Sequence, residues 1–252
     1  MKKIAIMNQK GGVGKSTLTY NIAHGLSLRN KKILLIDLDG QNDSSLFLGY
    51  SSEDSEDNNK TFFHLIDKRY PAKLHECIKK ARHNLDLIPN SNISQIEAEF
   101  NREARIDLLL HEVLKDLNNM DYDYVFFDSG PQRTKINDAI LCYVDSIIMP
   151  VQVEAASVRA TGNMYDYLSD LRLDGDKIKM IIPNMMDKRN NDAKENLDIL
   201  KMTHEDSIKI TSPIYRRVKI TEAGKNGQSV FEYDKESEKM FIEVVKTIEE
   251  EI

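Results

Sequence analysis

The chain has 252 residues, of which 35 are Lys or Arg and 41 are Asp or Glu, giving a net charge of −6 with 40% apolar residues. That length can bury a full core, while no apolar run approaches the roughly 18–20 residues that span a bilayer, so a transmembrane protein is excluded. Two cysteines without a CxxC, Cys77 and Cys142, exclude a disulfide scaffold or structural zinc site, and the acidic balance confines any nucleic-acid contact to a local patch.

The first residues, MKKIAIMNQKGG, hold no apolar signal segment and no small-residue cleavage site, so a cytoplasmic protein is expected. Short runs rich in Ile, Leu, Val and Phe then recur at Ile4–Met7, Ile33–Ile36, Leu85–Ile88, Tyr124–Phe127, Ile147–Val151 and Met180–Ile182. Apolar on both faces, they read as parallel strands buried between helix layers. Helical patterns lie between them. Residues 103–119 place Ile106, Leu109, Leu110, Val113, Leu114 and Leu117 on one face, and residues 236–250 do so with Phe241, Val244, Val245 and Ile248. The alternation predicts an α/β fold: a single domain over 1–252, with a mostly parallel twisted sheet covered by helices on both faces. No linker or internal repeat divides it, and SSEDSEDNN at 51–59 reads as a solvated acidic loop.

The first run leads into Asn8-Gln9-Lys10-Gly11-Gly12-Val13-Gly14-Lys15-Ser16-Thr17 and then a helical stretch. Small residues let backbone N–H groups curl around an anion, and a helix N-terminus behind them favours negative charge. Gly11 to Thr17 are therefore expected to bind nucleotide. Lys15 would reach the β/γ-phosphates and the Ser16 hydroxyl would ligate Mg2+. The second run ends in Asp37-Leu38-Asp39, placing two acids at the carboxyl end of a strand, beside the phosphate loop, where Mg2+ or an attacking water would sit. The fourth ends in Asp128 after four apolar residues, the form of a Walker B acid that holds Mg2+. Gly130, just beyond it, could let the backbone approach the γ-phosphate.

NQKGGVGKST, DLDGQNDSS, YDYVFFDSGP, IIMPVQVEAASV and YRRVKITEAGKNGQSVFEYD occur in an order and spacing that resembles the ParA-type partition ATPases of the deviant Walker A class. The resemblance covers nearly the whole chain. It implies a slow ATPase using ATP and Mg2+, which forms a sandwich homodimer on binding ATP. That dimer would bind duplex DNA without sequence preference and be released when a ParB-like centromere-binding or adaptor protein stimulates hydrolysis. It also implies roles for single residues: Lys10 reaches across the dimer to the partner's phosphates, Asp39 orients water, Asp128 is the Walker B acid, and Asn184 and Pro213 to Arg216 contact the adenine side, while Asp37 is expected as a metal ligand from its place at the strand end. Gly40 and Ser129-Gly130-Pro131 depart from the family's usual residues in its switch segments. An N-terminal helix-turn-helix, found in some relatives, is not expected.

Between 209 and 225 five basic residues stand against the single acid Glu222. Lys188, Arg189, Arg216, Arg217 and Lys219 are the expected DNA contacts, with association to the nucleoid as the consequence. Rival readings keep the ATPase and change the cargo to a protein assembly, or make the chain a metabolic ligase, for which no catalytic cluster stands out. A membrane-docking last helix is disfavoured by its acids, Glu236, Glu238, Glu243, Glu249, Glu250 and Glu251, because anionic lipid repels them. Cys142 falls within a helical pattern and reads as core, not as a cluster ligand.

Overall fold

The computed structural model describes residues 1–50, 60–204 and 207–252; the acidic run at 51–59 lies outside them. Among the described residues eight strands form one sheet: β1 (Lys2–Ile6), β2 (Ile33–Leu38), β3 (Lys79–Arg82), β4 (Leu85–Ile88), β5 (Tyr124–Ser129), β6 (Ser146–Gln152), β7 (Ile178–Asn184) and β8 (Lys209–Ile210). Their spatial order is β3-β4-β2-β5-β1-β6-β7-β8. All neighbours pair in parallel except β3 with β4.

The apolar runs are buried on both faces because each strand feeds two cores. In β5, Val125 and Phe127 join one core while Tyr124 and Phe126 join the other; β2 divides Leu34 and Ile36 from Ile33 and Leu35 in the same way. The first core packs under helices Ile93–Arg102, Ile106–Val113, Lys135–Tyr143 and Gly162–Asp170, and the second under Lys15–Ser27 and Lys235–Glu251. The last helix is capped at its start by Asp234, whose side chain accepts from the Ser237 N–H, and it buries Phe241, Val244, Val245 and Ile248 as its spacing predicts.

Two strands were not legible as apolar runs. β3 is KKAR on an antiparallel edge, and β8 is only two residues long. The stretch expected as one helix over 103–119 is broken. Glu103 has extended backbone, a helix runs only from Ile106 to Val113, and a 3-10 turn spans Lys115–Asn119. Leu110, Leu114 and Leu117 are buried nonetheless, since a 3-10 turn still returns a side chain to the same side every three residues.

Strand order reverses at β1. After it the chain passes through β2 to the edge at β3, returns through β4 to β5 beside β1, and then crosses to β6, β7 and β8 on the other side. In an open parallel sheet that reversal opens a crevice at the carboxyl ends of the strands, where ligands bind.

Candidate active site

The loop after β1 fills that crevice. Asn8 pins its start, donating from Nδ2 to the Pro150 carbonyl (2.7 Å) and accepting from the Lys10 N–H (2.9 Å). Gly12 and Gly14 have φ of 72° and 87°, the left-handed region that side chains disfavour. At Gly14 space forbids a side chain as well, since a Cβ there would lie 2.5 Å from Asn184 Nδ2. That amide donates to the Val13 carbonyl at 2.8 Å, so Asn184 braces the phosphate loop from β7. Helix Lys15–Ser27 begins immediately after Gly14 with no side chain capping it, leaving its first N–H groups and its dipole turned to the crevice.

A cleft of about 620 Å³ opens there, lined by Gly12, Gly14, Lys15, Ser16, Thr17, Asp39, Gly40, Asp43, Gly130, Pro131, Gln132, Thr134 and Asn137, among others. Lys15 is buried; desolvation pulls its ammonium pKa down, against the opposing pull of Asp128 and Asp39. Asp128 is fully buried. Its Oδ2 accepts from Ser44 Oγ at 2.6 Å, while Oδ1 is buried with no partner among the described residues. Burial and the nearby Asp37 push its carboxyl up to about 8, although the Ser44 and Ser16 hydroxyls favour the charged form. An orphaned carboxylate oxygen close to a serine hydroxyl suits a hard divalent cation, which would also restore the charge that burial opposes. Among the described residues no group of three or more His, Cys, Asp and Glu is placed to hold a metal. Mg2+ fits that sparse set, since it takes one or two protein oxygens and completes its shell with phosphate and water.

Asp37 was expected beside Asp128 as a ligand. The structure commits both its oxygens elsewhere: Oδ1 accepts from the Asp39 N–H (3.0 Å), and Oδ2 accepts from the Ser45 N–H (2.9 Å) and Ser45 Oγ (2.6 Å). Burial raises its pKa to about 6. This carboxylate braces the segment that carries Asp39, which lines the cleft with Oδ1 accepting from the Gln41 N–H.

Lys10 does not line the cleft. Its ammonium donates to Ser157 Oγ and to Gln152 Oε1 (3.4 Å) and lies 3.5 Å from Glu154 Oε2, so within one chain it is held at the end of β6. Pro213 and Arg216, expected on the adenine side, also lie outside the cleft lining. Ile214, between them, donates to the Pro183 carbonyl and carries this segment along β7. Sequence reasoning missed Ser44 and Ser45, which partner the two buried acids, and Asn90, which donates to the Asp39 carbonyl at 2.6 Å. The DLDGQNDSS string contains both serines, and a hydroxyl following two strand-end acids is the signal that could have found them.

A second groove forms where Met186 and Tyr215 bridge and the Arg216 N–H donates to the Met186 carbonyl. It gathers Lys188, Arg189, Arg216 and Arg217 around Met186, Tyr215 and Met240. Lys188 sits over the Tyr215 ring at 4.1 Å, Arg189 pairs with Asp187, and Arg217 with Asp234. Lys219 is not part of that lining; it pairs with Glu222 at 2.7 Å.

A family model described as an AAA domain matches residues 1–180. The chain is 28% identical to the sporulation initiation inhibitor protein Soj of Bacillus subtilis, over 98% of each chain. It is 26% identical to the chromosome partitioning protein ParA of Caulobacter vibrioides, over 93% of this chain and 88% of that one. The chain belongs to the ParA/MinD family of P-loop ATPases. The ParA-type fold is also that of a plasmid partition protein from Borrelia burgdorferi solved with AMPPNP, which superposes with a TM-score of 0.84 at 24% identity over 100% of this chain and 99% of that one.

Proposed function

We propose that this chain is a ParA-type positioning ATPase whose ATP-bound homodimer binds duplex DNA without sequence preference and is released when a ParB-like or adaptor protein stimulates hydrolysis. The observation that carries the ATPase reading is the buried, unpartnered Asp128 Oδ1 beside the phosphate loop, an oxygen that Mg·ATP would satisfy. Gly11 to Thr17 cradle the phosphates, Lys15 neutralises their charge, and Ser16 and Asp128 hold Mg2+. Asp39 lies in the cleft where a water must be oriented for in-line attack. Mg2+ supplies charge neutralisation to the transferring phosphoryl group. Asp39→Ala is expected to retain ATP and accumulate as a dimer, because it loses water positioning and keeps every phosphate contact.

For DNA, support comes from the convergence of Lys188, Arg189, Arg216 and Arg217 on one groove. Their neighbouring acids do not forbid the contact, since exposed ion pairs are worth only about 0–1 kcal/mol and exchange for phosphate at small cost. If each protomer meets about two to four phosphates, the dimer meets about four to eight, and log K should fall with log salt at a slope of roughly −4 to −7. Filter binding with ATP or ADP over a salt series tests this. A steep slope with ATP and full displacement by random-sequence DNA support the reading; no retention of DNA at low salt with ATP overturns it.

A further inference from the structure

Resting on the ATPase reading, we infer that Asn137 is a positioning residue for hydrolysis, holding the Gly130–Gln132 segment in place at the edge of the phosphate cleft. Asn137 is 3% exposed and lines the cleft from the first turn of helix Lys135–Tyr143. Its Nδ2 donates to two backbone carbonyls, Gly130 at 2.8 Å and Gln132 at 2.6 Å. Both donor hydrogens of that amide are thereby spent on one short segment, and its Oδ1 is buried without a partner among the described residues. A side chain that leaves a buried acceptor unpaired, at a cost, in order to aim its donors calls for an explanation beyond packing.

The segment it holds runs close beside Asp39 and the loop after β1. A Cβ on Gly130 would lie 3.7 Å from Asp39 Oδ1, and one on Gly11 would lie 3.9 Å from the Pro131 ring. Gly130 gives this stretch backbone freedom, so its conformation has to be imposed from outside. Asn137 imposes it. A peptide group is planar and trans, so anchoring the Gln132 carbonyl on Asn137 turns the Arg133 N–H the opposite way. The helix itself is anchored separately: the Asn137 N–H donates to Thr134 Oγ1, and at the far end Lys177 Nζ donates to the Leu141 and Val144 carbonyls.

The test compares Asn137→Ala, Asn137→Asp and Lys177→Met in the full chain. Asn137→Asp preserves shape and volume but replaces the donor with an acceptor facing two carbonyls. Both Asn137 variants are expected to lower kcat by about tenfold or more with the Kd for ATP within about threefold of wild type. Hydrogen exchange at residues 129–134 should rise in both, already without nucleotide. Lys177→Met loosens the same helix and should lower Tm while leaving kcat and exchange at 129–134 unchanged. An Asn137→Asp protein that turns over like wild type, an ATP Kd that weakens in step with kcat, or unchanged exchange at 129–134 would overturn the assignment. A wild type that binds no ATP would instead overturn the ATPase reading, leaving the exchange result to decide the role of Asn137.

Discussion

Lys15 is 6% exposed and Asp128 is wholly buried with one oxygen unpaired, whereas the Arg189 side chain is 90% exposed and paired with Asp187. The phosphate cleft and the basic groove thus hold charge under opposite conditions. In the cleft, burial opposes charge on Lys15 and on Asp128, whose carboxyl it holds protonated, and a ligand bringing Mg2+ and phosphate would favour the charged form of both. In the groove, charges remain hydrated and loosely paired, so a polyanion gains little per contact and loses much of it to salt. Under the proposed function, the first arrangement would give affinity for one ligand, and the second adhesion that salt tunes and sequence does not.

The largest expected effect tests the desolvated side. Lys15→Ala should weaken ATP binding by at least about 100-fold, about 2.7 kcal/mol, because the charge facing the phosphates is lost from a buried position. Equilibrium titration with a fluorescent ATP analogue measures it, and unchanged affinity would erase the distinction between the two regions. On the hydrated side, Lys188→Glu with Arg216→Glu should lower DNA affinity by about tenfold or more at low salt and leave the Kd for ATP unchanged. The loss should shrink as salt rises. Equal losses at low and high salt would mean that the groove is not the electrostatic contact.

The two regions also differed in how far the sequence revealed them. Gly12, Gly14, Lys15 and Ser16 fall within five residues, and the left-handed glycines and uncapped helix start that set them at the cleft are backbone features a local string specifies. Asp37 could not be read locally. Two acids spaced by one residue look equivalent in sequence, and only the hydroxyl and N–H of Ser45, eight positions on, reveal that one carboxylate is saturated. The groove depends on the Met186–Tyr215 bridge between distant segments, which joins Lys188 to Arg216 and leaves Lys219 aside; no local pattern records that pairing. The sheet was legible wherever strands are apolar on both faces and illegible at β3 and β8, where edge position relaxes the need for apolar side chains.

A smaller effect should appear in stability, with a sign set by burial. The Asp128 pKa is raised to about 8, so between roughly pH 4 and 8 the folded protein keeps a proton that the unfolded chain has released. Stability without ligand therefore falls as pH rises through that window. Asp128→Asn removes that titration and should gain in Tm over wild type as pH rises toward 8, with the gap closing toward pH 4. Thermal scans across pH measure this. A variant less stable than wild type at pH 8 would show that Asp128 is held charged and satisfied, contrary to its orphaned oxygen.

The smallest expected effect comes from loosening the hold on Lys10, which shares features of both regions. Its side chain is 34% exposed and Glu154's is 56% exposed, with 3.5 Å between the charged groups, so the pair is worth no more than about 1 kcal/mol. If Lys10 must leave Glu154, Gln152 and Ser157 to reach the phosphates of a second copy, that energy opposes dimerisation. Glu154→Gln weakens the hold without touching the phosphate loop, and should tighten the ATP-dependent dimer by about twofold to fivefold per lysine released. Lys10→Ala removes the reaching group and should remain monomeric in ATP while still binding it. Sedimentation velocity over a concentration series separates the cases. A tighter dimer in Glu154→Gln together with a monomeric Lys10→Ala identifies the contact at the end of β6 as a resting position. Unchanged dimerisation in Glu154→Gln would make it an incidental surface pair, and a Lys10→Ala protein that still dimerises with ATP would remove Lys10 from the interface.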